Sequence, residues 1–538
     1  MTDRYDAIVI GGGHNGLVAA AYLAKAGART VVLEARHKTG GAADTMAPWP
    51  EAPEFKVTTL SYVMSLMPDT ILRDLDLARH GYEVTPTGPY FVPFPDGRFI
   101  VEEDDPKKNH EEFAKFSKKD ADALEEWEAW IGGLASVLGP LLMTTPPRLG
   151  SNRPSDVREQ LKLAWRFRGL DVRGVGDITR LMTMSIVDIL DRFFETDQVK
   201  TVMSLNGLIG TWAGPHEPGT GYVMAHHSIG DVGSGTVGAW AVPTGGMGAV
   251  AAALTSSARV SGAEIRTEAR VATILTRGGA ATGVRLVSGE ELSAPTIVTA
   301  IHPKITFLEQ LDRNELPESF VRDIESWSSR SGVVKINCAL DRAPVFTAKP
   351  DLKDLSGGFE LAHSIAYLEE GFEQARAGIP ATRPFSDGVM PTTYDPTLAP
   401  EGRHVVSLFT QWVPHTWSEE PHRDELEAYA DRVIRGYDEL APGFEDSILH
   451  RQVIGPYDME QEWGLIGGSI FHGELSAEQL FHMRPAPGYA DYRTPIRGLY
   501  QCSSATHAGG GVTGIPAYNC VREIKKDRKR RKRSRSKG

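Results

Sequence analysis

The chain has 538 residues, 41% of them hydrophobic and 24% charged, with a formal net charge of −12. That length exceeds one hydrophobic core, so at least two domains are expected. The acidic balance excludes a nucleic-acid-binding body, and three widely spaced cysteines (Cys338, Cys502, Cys520) with no CxxC pair exclude a disulfide framework or a dithiol centre.

In chain order, the first strand (residues 7–10) runs into Gly11, Gly13 and Gly16, followed by a helix over 16–26 that stops at Gly27. A second strand follows at 30–34 and ends on Glu34. This is the pattern of a dinucleotide-binding βαβ unit. Gly11 permits the tight turn, Gly13 lets the backbone approach a pyrophosphate, and Gly16 lets helix and strand pack closely. The phosphates are expected at the helix N-terminus, where free N–H groups and the helix dipole favour an anion. Glu34 would accept hydrogen bonds from ribose hydroxyls. A second glycine pair, Gly40-Gly41, suits a loop running back over the same pyrophosphate and points to FAD rather than NAD. The glycine clusters at 207–210, 230–235 and 245–248 lack the strand–helix context of a second nucleotide site.

A hairpin is predicted around Asp96-Gly97. Helices follow at 105–137, 155–168, 177–194 and 196–205, the first with Phe113, Phe116, Leu124, Trp127 and Ile131 on one stripe. The region 249–300 returns to α/β alternation, and strands at 333–340 and 404–413 with a helix at 423–440 are expected to build a sheet-based substrate domain. A helix is predicted at 475–483. A last strand at 499–502 meets a glycine-rich segment and then a helix at 517–526. Beyond it, 525–538 is a Lys/Arg run that reads as a disordered tail, with a surface role at anionic lipid as its sharper reading. The resulting division is a discontinuous FAD-binding domain (1–104, 230–305, 490–524), a helical lobe (105–229), a substrate domain (306–489) and the tail.

Together these motifs resemble the phytoene-desaturase-like flavoproteins. Within them the chain is similar to the carotenoid ketolase branch and the pyridine nucleotide-disulfide oxidoreductase domain-containing protein 2 family. The resemblance rests on residues 11–24, 243–248, 395–400, 467–473 and 506–512, and spans nearly the whole chain. It implies an α/β, Rossmann-type FAD-binding domain of the glutathione-reductase-like and amine-oxidase-like kind, with an inserted substrate domain and a helical lobe. It implies FAD held by Gly11, Gly13, His14, Asn15, Gly16, Glu34, Ala35, Arg36, Gly40, Gly41 and Ala42. Val271 would lie near the adenine, with Gly246, Thr506, His507, Gly511 and Val512 completing the site. Ser503 and Ala508 stand where the family usually has Gly and Pro. The "disulfide" of the family label has no counterpart in paired cysteines here.

The activity implied is a FAD-dependent oxidoreductase: dehydrogenation, oxidation or isomerisation of an apolar, carotenoid- or isoprenoid-like substrate. His472 and His507 are the candidate acid–base residues, while His14 and the pair His226-His227 carry weaker signals. An amine-oxidase-like flavoenzyme and a FAD-containing regulatory or partner-binding protein are the alternatives. No residue cluster has metal-ligand spacing and no Gly-x-Ser-x-Gly elbow is present. The first strand begins by Tyr5, leaving no space for a leader, and no apolar run reaches ~18 residues. A cytoplasmic protein able to touch a membrane is therefore expected.

Overall fold

The β-branched runs Ala7–Ile10 and Thr30–Leu33 are buried along their whole length, as strands covered on both faces must be. They form the middle of a five-stranded parallel sheet in the order Glu264–Arg266, Thr30–Leu33, Ala7–Ile10, Ile297–Thr299, Leu499–Gln501. The chain leaves Ala7–Ile10 toward one side and returns on the other, so the strand order reverses there. Such a switch point opens a crevice at the carboxyl ends of the strands. Helices His14–Lys25, Met247–Val260 and Ile515–Arg535 share one core with this sheet, through Leu17, Val18, Ala21, Val250, Leu254 and Val521. On the other face a four-stranded sheet contributes Val284 and Leu286 to a second core, with Ile8, Val31 and Phe307.

The computed structural model describes residues 3–103, 105–230, 238, 240–349, 351 and 355–535. The glycine cluster predicted at 230–235 lies outside the described residues beyond Gly230.

A seven-stranded sheet forms the second domain. Its order is Ile448–Ile454, Val333–Leu340, His404–Gln411, Phe385–Val389, Gly358–Leu361, Tyr90–Pro93, Phe99–Glu102. Helix Arg423–Leu440 covers it with Leu426, Tyr429, Val433 and Tyr437. Two predicted boundaries are corrected here. The hairpin strands Tyr90–Pro93 and Phe99–Glu102, assigned above to the FAD-binding domain, belong to this sheet. Conversely, Phe307, Phe320 and Ile324, assigned to the substrate domain, pack into the nucleotide-domain core. Local alternation identifies a hairpin but not the distant strand it pairs with.

The helical lobe is more broken than its periodicity predicts. The helix expected over 105–137 is two, Pro106–Ala114 and Lys118–Leu142, because the Ser117 hydroxyl accepts from Asp120 N at 3.1 Å and starts a new helix. Ser185 divides 177–194 in the same way, accepting from Asp188 N at 3.0 Å. The helix predicted at 475–483 is only two single turns, Ala477–Gln479 and Phe481–Met483. Of the tail predicted as disordered, residues 525–535 continue helix Ile515–Arg535 instead, and 536–538 lie outside the described residues. Lys and Arg are good helix formers, and Asp527 anchors the helix by accepting from Arg493 at 2.8 Å and Tyr500 at 3.0 Å. Among the described residues no helix is long and apolar enough to cross a membrane.

Candidate functional site

The turn after Ala7–Ile10 is built as its glycines require. Gly11 has φ +95°, and a Cβ on Gly16 would stand 1.9 Å from the Gly11 carbonyl oxygen. Gly13 differs: a Cβ there would meet nothing nearer than the Gly41 Cα at 4.0 Å, so its missing side chain leaves open space. Gly40 N donates to Gly12 O at 2.9 Å, which lays the second glycine loop against the first. The Glu34 carboxylate is fixed by Gly12 N at 2.6 Å and Arg36 N at 2.8 Å. Arg36 pairs with Asp44 at 3.0 Å and lies over the Trp463 ring.

A cavity of about 790 Å³ starts at this turn and continues to the seven-stranded sheet. Gly11, Gly13, His14, Asn15, Glu34, Ala35, Arg36, Gly40, Gly41, Ala42, Val271, Gly511 and Val512 all line it. Gly16 lies beneath the turn as a packing residue. Gly246, Thr506 and His507, also in the predicted set, do not line this cavity. Gly246 heads helix Met247–Val260 against Thr45 and Thr58. The Thr506 hydroxyl donates to Ser503 O at 2.7 Å, and His507 Nε2 donates to Leu141 O at 2.9 Å. Ser503 itself turns its hydroxyl to Ala505 N at 3.2 Å and stays off the cavity wall.

The two predicted acid–base histidines therefore part company. His507 is committed to a backbone carbonyl away from the cavity. His472 lines it with φ +56°, and its carbonyl is held by Trp327 Nε1 at 2.8 Å. Burial and the neighbouring Arg484 cation push His472 down to about 4, so it is neutral at physiological pH. Arg484 is buried and donates to the carbonyls of Phe471, Gly473, Glu474, Gln479 and Ser504, tying the His472 loop to the closing glycine motif.

The far wall is apolar: Leu60, Ile209, Val333, Phe409, Met459 and Ile470. Two ionisable side chains that were not among the predicted site residues, Tyr62 and Lys335, interrupt it. Lys335 is 1% exposed, and burial pushes its ammonium down to about 7. Its Nζ donates to Ser407 Oγ at 2.5 Å and sits 4.2 Å from the Tyr62 ring centroid. Tyr62 stacks on Phe409, with ring centroids 5.7 Å apart, and donates its hydroxyl to Asp387. The sequence signal for Lys335 was a lone lysine in the middle of the otherwise largely apolar strand Val333–Leu340, which is buried throughout. Tyr62 carried none.

The turn fits a dinucleotide. The helix His14–Lys25 begins without a side-chain cap or an acidic residue in its first turn, leaving its N–H groups free for phosphate. His14 Nε2 and Asn15 Oδ1 are buried without a hydrogen-bond partner among the described residues. Residues 9–71 match the NAD(P)-binding Rossmann-like domain, and residues 86–516 match the flavin containing amine oxidoreductases. The chain belongs to the flavin-containing amine oxidoreductase family. Its cofactor is FAD. It is 38% identical over 556 residues to pyridine nucleotide-disulfide oxidoreductase domain-containing protein 2 of Rattus norvegicus, spanning 98% of this chain and 94% of that protein. It is 25% identical over 544 residues to one of the subunits of limonene dehydrogenase from Castellaniella defragrans, covering 97% of this chain and 94% of the relative. The fold is shared with a wild-type putrescine oxidase bound to putrescine, at TM-score 0.61 and 16% identity over 98% of this chain and 99% of the other.

Proposed function

We propose that this flavoprotein oxidises an apolar, isoprenoid-like donor, with dehydrogenation as its reaction. The observation that carries the reading is the far wall of the cavity. A chamber of Leu60, Ile209, Val333, Phe409, Met459 and Ile470 offers a hydrocarbon the burial it seeks. The limonene dehydrogenase relative supports the same class of donor. An amine is the less favoured substrate: at the far wall its cation would meet Lys335.

In this reading Glu34 accepts from the ribose hydroxyls, and Gly13, His14 and Asn15 hold the pyrophosphate. Val271 lies by the adenine, with Gly511 and Val512 against the remainder of the cofactor. When bound, the flavin supplies hydride-accepting chemistry. The protein supplies orientation, a dry wall and the protonatable groups Lys335 and Tyr62. Because such a donor partitions into lipid, the proposal includes transient contact with a membrane surface.

The test is an absorption spectrum of the purified protein with and without added FAD, followed by anaerobic titration with limonene, a carotenoid and putrescine. Bleaching of the flavin by a hydrocarbon donor is expected. Bleaching by putrescine alone would transfer the activity to amines. Stable FAD that no donor reduces would favour a binding role.

A further inference from the structure

Lys335, Phe409, Asp387 and Glu360 sit on four neighbouring strands in one lateral row. Lys335 pairs with Phe409, Phe409 with Asp387, and Asp387 with Glu360. Directly opposed residues project on the same face of a sheet, so the two carboxyls are adjacent. Both are buried, at 6% exposure for Asp387 and 5% for Glu360. Asp387 Oδ1 and Glu360 Oε2 have no hydrogen-bond donor among the described residues. Two carboxylates side by side in an apolar sheet cannot both carry a charge, and one shared proton removes the conflict. Burial raises both groups above the usual carboxylate range; the Asp387 charge pushes Glu360 up further, while hydrogen bonds from Tyr62 and Glu360 and the Lys335 cation hold Asp387 back. The other oxygen of Asp387 receives the Tyr62 hydroxyl, and Tyr62 lines the cavity. The titratable groups around the pair are Lys335, Tyr62, Tyr90, Glu102 and Tyr437.

We propose that Asp387 and Glu360 form a proton store that serves the substrate chamber through Tyr62. The proposal rests on the flavin-dependent dehydrogenation put forward above. Removing two hydrogens from a donor sends one to the flavin as hydride and leaves one proton to be accepted. That proton passes to the Tyr62 oxygen as the Tyr62 hydroxyl proton passes to Asp387. The carboxyl pair then goes from one proton to two, and no phenolate forms at any point. When product leaves, water entering the chamber takes the proton back along the same path. Tyr62 is the group that meets substrate, while Asp387 and Glu360 act through it as positioning residues.

The experiment is infrared spectroscopy of the full chain with FAD, in which a protonated carboxyl has its own stretch. The wild type is expected to show that band at pH 7 and Glu360→Gln to lose it, since Asp387 alone ionises beside Lys335. Transfer into deuterated buffer is expected to shift the wild-type band quickly. In Tyr62→Phe the shift slows by roughly tenfold, the loss of one linking hydrogen bond. Asp387→Asn provides a second variant should Glu360→Gln fold poorly, with a shifted band expected. A spectrum without the band, or a Tyr62→Phe protein exchanging at the wild-type rate, overturns the proposal. The visible spectrum of the same samples reports FAD binding separately, so a failure of the flavin reading is not mistaken for a failure of the proton store.

Discussion

At the scale of single residues, two glycines of one motif have different physical duties, and substitution separates them. Gly16 has no space for a Cβ, which would stand 1.9 Å from the Gly11 carbonyl. Gly16→Ala should therefore lower the thermal midpoint and abolish FAD binding together. Gly13 has φ −69°, ordinary for alanine, and open space beside it. Gly13→Ala should keep the midpoint of the FAD-free protein and lose FAD affinity, because its methyl occupies the side on which the pyrophosphate is proposed to lie. Thermal denaturation and fluorescence titration with FAD distinguish the two. Lys335 gives a pH-dependent prediction. Its pKa falls from 10.5 to about 7 on folding, so between those values the unfolded chain binds more protons and stability rises with pH. Below pH 7 the folded protein carries the full penalty, on the order of a few kcal/mol. Lys335→Met should raise the thermal midpoint at pH 7, with the gain shrinking toward pH 10, while turnover falls. A midpoint difference independent of pH would show that folding leaves the Lys335 pKa unshifted, so that its ammonium stays charged in the folded protein.

At the scale of elements, what the sequence made legible depended on distance along the chain. The βαβ unit reads directly because its glycines and Glu34 act within one contiguous stretch, and helix Arg423–Leu440 falls where its periodicity places it. The row Lys335–Phe409–Asp387–Glu360 is invisible in the same text, since its members meet only through cross-strand register. The C-terminal helix was misread because a basic run says nothing of Arg493, whose guanidinium joins Asp491, Glu523 and Asp527 and holds the helix in place. The helical lobe carries the element-scale prediction. Helix Pro154–Phe167 exposes Val157, Leu161 and Trp165 at successive four-residue steps, Leu161 and Trp165 each 65% exposed, beside Arg158, Lys162 and Arg166. An apolar stripe flanked by cations is the pattern of a helix lying in a lipid surface. The wild type should float with vesicles containing phosphatidylserine, and Leu161→Asp with Trp165→Asp should abolish flotation. Deleting 529–538 should weaken only the preference for anionic over neutral vesicles. Flotation unchanged by the double substitution would remove this helix from the contact.

At the scale of the whole molecule, the cavity is the joint between two domains. Its walls combine the Gly11–Gly13 turn and Glu34 of the five-stranded sheet domain with Val333, Lys335 and Phe409 of the seven-stranded one. The two sheets otherwise keep separate cores, Val18 and Leu254 in one and Ile336 and Leu408 in the other. A ligand that binds only the native form adds RT ln(1 + [L]/Kd), about 2.7 kcal/mol at a hundredfold excess over Kd. Where two domains each supply part of the wall, that free energy is lost when either one unfolds. Calorimetry should therefore resolve two transitions in the FAD-free protein and bring them together, both raised, at saturating FAD, since a chain of this size need not unfold as one unit. The Gly13→Ala protein should keep the two separate transitions at every FAD concentration. If FAD raised only one transition in the wild type, the seven-stranded sheet would not be a wall of the cofactor site. Lys335 and Tyr62 would then face a compartment of their own, one whose occupant is held without help from the flavin.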